Sequence, residues 1–77
     1  MRHQFKTPYT LRICSTAKTK NPQTFEIDRG LREARRLAKQ ATERGQANAA
    51  AAEVRDALGR VAFECRNIAG KVVQVSR

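Results

Sequence analysis

Seventy-seven residues with 16 Lys and Arg against 7 Asp and Glu give a net charge of +9. A chain this short buries only about 60% of its unfolded surface, which restricts it to one thin core and leaves little room for a deep pocket. Such a charge surplus weakens a small fold by self-repulsion. It makes most sense if a polyanion (nucleic acid, a ribonucleoprotein, an acidic protein or a lipid surface) neutralises it.

The longest apolar run, Ala49 to Ala52, is far shorter than the ~18–20 residues that span a bilayer. Residues 1–8, MRHQFKTP, read as a basic leader without the apolar stretch of a secretory signal. Two cysteines outside any CxxC and one histidine, His3, argue against the usual zinc spacings and predict reduced thiols in the cytoplasm. Frequent Ala and Arg hint at a GC-rich bacterial or phage source.

Pro8 disfavours helix at Thr7 and suits the residue before a strand. From Tyr9 to Ser15 the sequence alternates, with Tyr9, Leu11 and Ile13 on one face and Thr10, Arg12 and Cys14 on the other. Residues 16–22, TAKTKNP, are a polar hairpin loop carrying Lys18 and Lys20, with Asn-Pro as its turn signal. A second strand, Gln23 to Ile27, is expected to send Phe25 and Ile27 into the core.

The stretch from Asp28 to Arg44, DRGLREARRLAKQATER, reads as the one long helix. Asp28 is placed to cap it, Gly30 weakens its first turn, and Gly45 is expected to end it in a left-handed conformation. At about 100° per residue, Leu31, Ala34, Leu37, Ala38 and Ala41 share one face. Arg32, Arg35, Arg36 and Lys39 fall within an arc of about 100° on the other side.

Residues 46–60 allow two readings. Asn48, the alanines and Gly59 suit a second helix; alternation through Ala52 and Val54, with Asp56-Ala57-Leu58-Gly59 as a turn, suits a hairpin. Val61 to Arg66 is a strand with Val61, Phe63 and Cys65 on one face. Ile68 to Lys71 turns the chain, and a last strand from Val72 to Ser76 has Val73 and Val75 as its expected core pair. The fold class is therefore α+β, an antiparallel sheet packed on one amphipathic basic helix, ordered ββαβββ or ββααββ.

Nothing in the chain has the spacing of catalytic chemistry. No serine or cysteine has a base at motif spacing, and neither phosphate-loop pattern, GxxxxGK or GxGxxG, occurs. Glu26 and Asp28 are explained by helix capping and charge pairing. No cofactor or metal is implied. Cys14 and Cys65 fall on opposite faces of the expected sheet, where their side chains cannot converge on a disulfide.

The helix arc is the strongest functional candidate. Arg29, Arg32, Arg35, Arg36 and Lys39 form a ladder long enough to follow two or three phosphates. Glu33 and Glu43 are the carboxylates near it, and Glu33 can reach Arg29 or Arg36. Lys18 and Lys20 make a second basic region. The expected open sheet face (Thr10, Arg12, Thr24, Glu26, Glu64, Arg66) is mixed in charge. It lacks the exposed aromatics on which sheet-type RNA binders stack bases.

The layout of hairpin, basic helix and strand meander over residues 9–76 resembles some small phage-encoded anti-CRISPR proteins that inhibit type I surveillance complexes. The nearest local form of the resemblance is Thr24-Phe25-Glu26-Ile27 leading into Leu31-x-x-Ala34-x-x-Leu37-Ala38. It implies non-catalytic inhibition, with the basic surface occupying sites that face crRNA or target DNA. The net charge of +9 sets this chain apart from members that act as acidic DNA mimics.

The sequence thus predicts a binding protein acting on nucleic acid or a nucleoprotein complex through Arg29, Arg32, Arg35, Arg36, Lys39, Lys18 and Lys20. Two alternatives are a helix-turn-helix DNA-binding regulator, suggested by Ala41-x-x-x-Gly45 and dependent on a helical 49–58, and a protein–protein or oligomerisation module with incidental charge.

Overall fold

A computed structural model describes residues 6–15 and 22–75. The element order is ββαβββ: β1 Tyr9–Cys14, β2 Gln23–Ile27, α1 Leu31–Arg44, β3 Ala51–Arg55, β4 Val61–Ile68 and β5 Lys71–Gln74. The five strands form one antiparallel sheet in the order β2-β1-β3-β4-β5. Because β2 and β3 both pair antiparallel with β1, they run parallel to each other. The chain must therefore return the length of the sheet between them, and α1 makes that return across one face.

Strand alternation sets the core. Leu11 pairs with Val54 and Val54 with Phe63, so these side chains line up under the helix. Tyr9, Leu11, Ala34, Ala38, Ala52, Val54, Phe63 and Cys65 form the buried cluster. Ala34 and Ala38 lie one helical turn apart and are fully buried; with only methyl groups at the contact, the helix backbone can lie close to the sheet. Thr42, a turn further on, donates to the Ala38 carbonyl at 2.8 Å. That leaves the Cys65 thiol to donate to Thr42 Oγ1, 3.2 Å away.

Two buried polar side chains fix the connections. Asp56 organises the β3–β4 turn: Oδ1 accepts from the amides of Leu58 (3.0 Å) and Arg60 (2.8 Å), and Oδ2 from Arg60 Nε (2.9 Å). Oδ2 also accepts from the Lys6 amide at 3.2 Å, while Ala57 N donates to the Lys6 carbonyl at 2.8 Å. The end of the basic leader is thereby tied to this turn. Asn67 joins α1 to the β4–β5 hairpin, donating to the Thr42 carbonyl at 3.0 Å and accepting from Gly70 N at 3.0 Å.

Several expected details are corrected. The helix begins at Leu31, not Asp28: Gly30 holds the N-cap position at φ 100° and ψ 170°, with no side-chain cap. That conformation suits glycine and moves Asp28 out of capping reach. Gly45 is not left-handed, with φ −85°. Its glycine is required by space, since a Cβ there would lie 2.3 Å from Ala50 Cβ and 3.1 Å from the Ser15 carbonyl oxygen.

Residues 46–60 resolve to a turn, β3 and the Asp56–Gly59 hairpin turn, so a second helix over 49–58, and with it the helix-turn-helix geometry, is not formed. Asn48 adopts φ 63° instead of capping a helix. The last strand ends at Gln74 and its inward residue is Val72, not Val73 or Val75: Ala69 (φ 55°) and Gly70 (φ 83°) form a tight turn that places Val72 opposite Asn67. Val73 consequently lies on the open face, 42% exposed. Phe25 points to the helix side but is 48% exposed, because α1 lies over β1, β3 and β4 and leaves edge strand β2 uncovered.

Candidate polyanion-binding surface

The orientation of α1 decides where its cations stand. Ala34, Ala38 and Thr42 face the sheet. Leu37, Ala41 and Arg44 then lie on the flank toward β1 and β2, where they line a groove with Leu11 and Phe25. The opposite flank descends onto β4. There Arg35 Cζ is 5.2 Å and Lys39 Nζ 5.8 Å from the centroid of the Phe63 ring. The basic arc is therefore not directly opposite the apolar face. It begins at the helix–sheet boundary, where Arg35 and Lys39 seal Phe63, and climbs through Arg32 to Arg36.

Burial and charge are linked at this boundary. Phe63 is only 4% exposed, and long cationic side chains cover such a ring with their stems while the charge stays in water. Arg35 and Lys39 thus have a packing role as well as a charge.

Neutralisation along the arc is sparse. Arg36 forms a two-pronged ion pair with Glu33, its Nε at 3.2 Å and its Nη2 closer still. That hydrogen bond, with smaller Coulomb contributions from Arg36 and Arg29, holds the Glu33 carboxyl below its ordinary pKa. No other ion pair along the arc is found among the described residues: Arg29, Arg32, Arg35 and Lys39 have no carboxylate partner there. Arg29 precedes the helix and does not extend the ladder within it.

The open sheet face behaves differently. Arg55 Nε lies 2.5 Å from Glu53 Oε1, and Arg66 Nη2 3.4 Å from Glu64 Oε2. Strand register also sets Arg12 opposite Glu53 and Glu53 opposite Glu64. Glu64 is 9% exposed, which the mixed pattern of this face did not foretell. Lys18 and Lys20 lie outside the described residues.

Other chemistry is sparse among the described residues. The cysteines are free, Cys14 half-buried on the open face and Cys65 buried under the helix. Burial pushes the Cys65 thiol above its ordinary pKa, which makes it inert at neutral pH. Among the described residues, no group of three or more potential metal-ligating side chains is found, and no helix is long and apolar enough to cross a membrane.

Phe25 is the exposed aromatic that the sequence reading placed in the core. Its position on an edge strand, with the uncovered flank of α1 beside it, needed the sheet order to be seen. Compared with known proteins, this α+β chain matches no family model, no curated protein and no solved structure.

Proposed function

We propose that this protein is a non-catalytic binder of polyanions. Its α1 flank, with Arg32, Arg35, Arg36 and Lys39 and with Arg29 at the helix entrance, docks on the phosphate backbone of nucleic acid, free or within a nucleoprotein complex. The observation that carries the reading is the row Arg32, Arg35 and Lys39, which lacks carboxylate partners among the described residues. Cations three and four residues apart repel by a few tenths of a kcal/mol per pair. Arg32 stands in the first turn of α1, where the helix dipole also disfavours positive charge. Packing over Phe63 accounts for the stems of Arg35 and Lys39, but the fold gains nothing from the charge of Arg32, whereas a phosphate ligand would reverse the sign of both terms.

The resemblance to type I anti-CRISPR proteins gives the reading a specific form, in which the flank occupies backbone-facing sites of a surveillance complex and inhibits without catalysis. Lys18 and Lys20 would extend the contact. Fluorescence anisotropy with labelled single-stranded and duplex oligonucleotides, with and without purified surveillance complex, tests it. Three or four phosphate contacts predict a slope of about −3 for log affinity against log salt. Binding that is independent of salt, or no binding to any of these ligands, would contradict the proposal.

A further inference from the structure

The other flank of α1 presents different chemistry. Between the helix and β2 lies a groove of about 400 Å³ lined by Leu11, Ile13, Phe25, Ile27, Leu37 and Ala41. Its outer wall is an edge strand whose outer hydrogen-bonding side has no partner strand among the described residues. Edge strands of monomeric proteins are normally guarded by lysine, proline, a bulge or brevity. β2 contains no lysine, proline or bulge, and Glu26 is its one charge: its sequence is QTFEI, it follows Pro22, and its five-residue register with β1 is unbroken. The opposite edge, β5, is four residues long and opens with Lys71.

We propose that β2 is a self-association edge, at which a second copy of this chain pairs antiparallel about a two-fold axis at Phe25. Charge selects this occupant. In a chain of net charge +9, residues 22–28 hold Glu26 and Asp28 and no Lys or Arg, so pairing here keeps the cations of the two copies apart and leaves carboxylates that call for a cation from the other chain. The pairing sets Phe25 against Phe25 of the second copy, and Gln23 against Ile27.

The ends of the interface are complementary as well. α1 finishes near Ser15, at the Gln23 end of β2, with Gln46 N donating to the Ser15 carbonyl at 2.8 Å. Arg44 lines the groove at that end. Antiparallel pairing brings Asp28 of the second copy to Arg44, twice by symmetry. Within one chain these two residues flank opposite ends of α1, about 20 Å apart, so they can pair only between copies.

Sedimentation equilibrium from low micromolar to millimolar concentration tests the proposal, with circular dichroism as the check on folding. The expected result is a reversible species of twice the 8.7 kDa chain mass. Phe25→Lys should dissociate it without altering the fold, because that side chain is half exposed. Arg44→Asp and Asp28→Arg should each weaken association several-fold, and the double variant should restore it. Under mild oxidation, Cys14→Ser/Phe25→Cys should cross-link between copies, whereas Cys14→Ser/Gln23→Cys should not. A monomer at every concentration, a dimer indifferent to Phe25→Lys, a charge swap without rescue, or cross-linking equal at both positions would overturn the proposal.

Discussion

On the open face of the sheet, arginines stand beside carboxylates: Arg55 with Glu53, Arg66 with Glu64, and Arg12 opposite Glu53 in the register. On the flank of α1, Arg36 alone has such a partner, and Arg32, Arg35 and Lys39 stand side by side among the described residues. The two regions use similar residues under different geometry. On a strand, residues two apart share a face, so Glu53 meets Arg55 and Glu64 meets Arg66 along one segment, and the register adds Arg12 across from Glu53. A helix brings together residues three and four apart in one segment, and here that segment repeats the same sign. One surface is internally neutralised, and the other keeps charge that the proposed polyanion would neutralise.

The sharpest way to break this contrast is to remove charge from each region in turn. Arg32, Arg35 and Arg36 changed together to Gln should weaken nucleic-acid binding by about 1–3 kcal/mol or more, a loss of about five- to 150-fold or more. Arg12, Arg55 and Arg66 changed together to Gln should alter it less than about threefold. Equal losses, measured by anisotropy on variants with native dichroism spectra, would erase the distinction between the two faces.

Asp56 is a third kind of charge, one that works for the fold. Burial alone would push its pKa up, but hydrogen bonds from Arg60 and from the Arg60 and Lys6 amides bring it down to about 2 from the ordinary 3.8. Its stabilisation is complete above the unfolded pKa and lost as pH falls from about 4 toward 2. Asp56→Asn should therefore lower the thermal midpoint at pH 7 by several degrees and flatten the decline of stability below pH 4. Affinity per folded molecule should stay unchanged. A pH profile parallel to that of the unaltered protein would mean that Asp56 is not the titrating group.

A single change can separate the two kinds of work. Arg32→Glu puts an acid in the first turn of α1, three and four residues before Arg35 and Arg36. It should raise stability by about 0.5 kcal/mol at low salt while reducing binding. Stability and affinity moving together would contradict the idea that Arg32 is held against the interest of the fold. The smallest effect concerns the thiols: iodoacetamide should modify Cys14 in the native protein and reach Cys65 only after unfolding. Equal rates would show that α1 does not seal Cys65.

The sequence already displayed the parts of this arrangement that depend on local pattern. Period-2 alternation placed β1 and β2, helical spacing placed the basic arc, and the Asp56–Gly59 turn with its flanking alternation contained the hairpin reading of residues 46–60. What it concealed depends on neighbours distant along the chain. Asp28 looked like a cap because the N-cap conformation of Gly30 follows from where the helix lands on the sheet. Gly45 looked like a left-handed terminus, yet it is small because Ala50 and Ser15 crowd it. Val73 looked like core until the two-residue turn at Ala69 and Gly70 set the β5 register.

For the candidate surface, residue identity was legible and environment was not. Spacing put Arg35 and Lys39 on the basic arc, and only the packed sheet revealed that they also cover Phe63. Phe25 shows the converse. Its alternation assigned it correctly to the helix side, but its exposure follows from the offset of α1 away from β2.

The central claim is that the α1 flank holds cations to neutralise phosphates, and counterion release measures this directly. The slope of log affinity against log salt should fall in magnitude by about 2–3 for the Arg32, Arg35 and Arg36 to Gln variant relative to the unaltered protein. The Arg12, Arg55 and Arg66 to Gln variant should keep the original slope. Identical slopes for all three folded proteins would contradict the account.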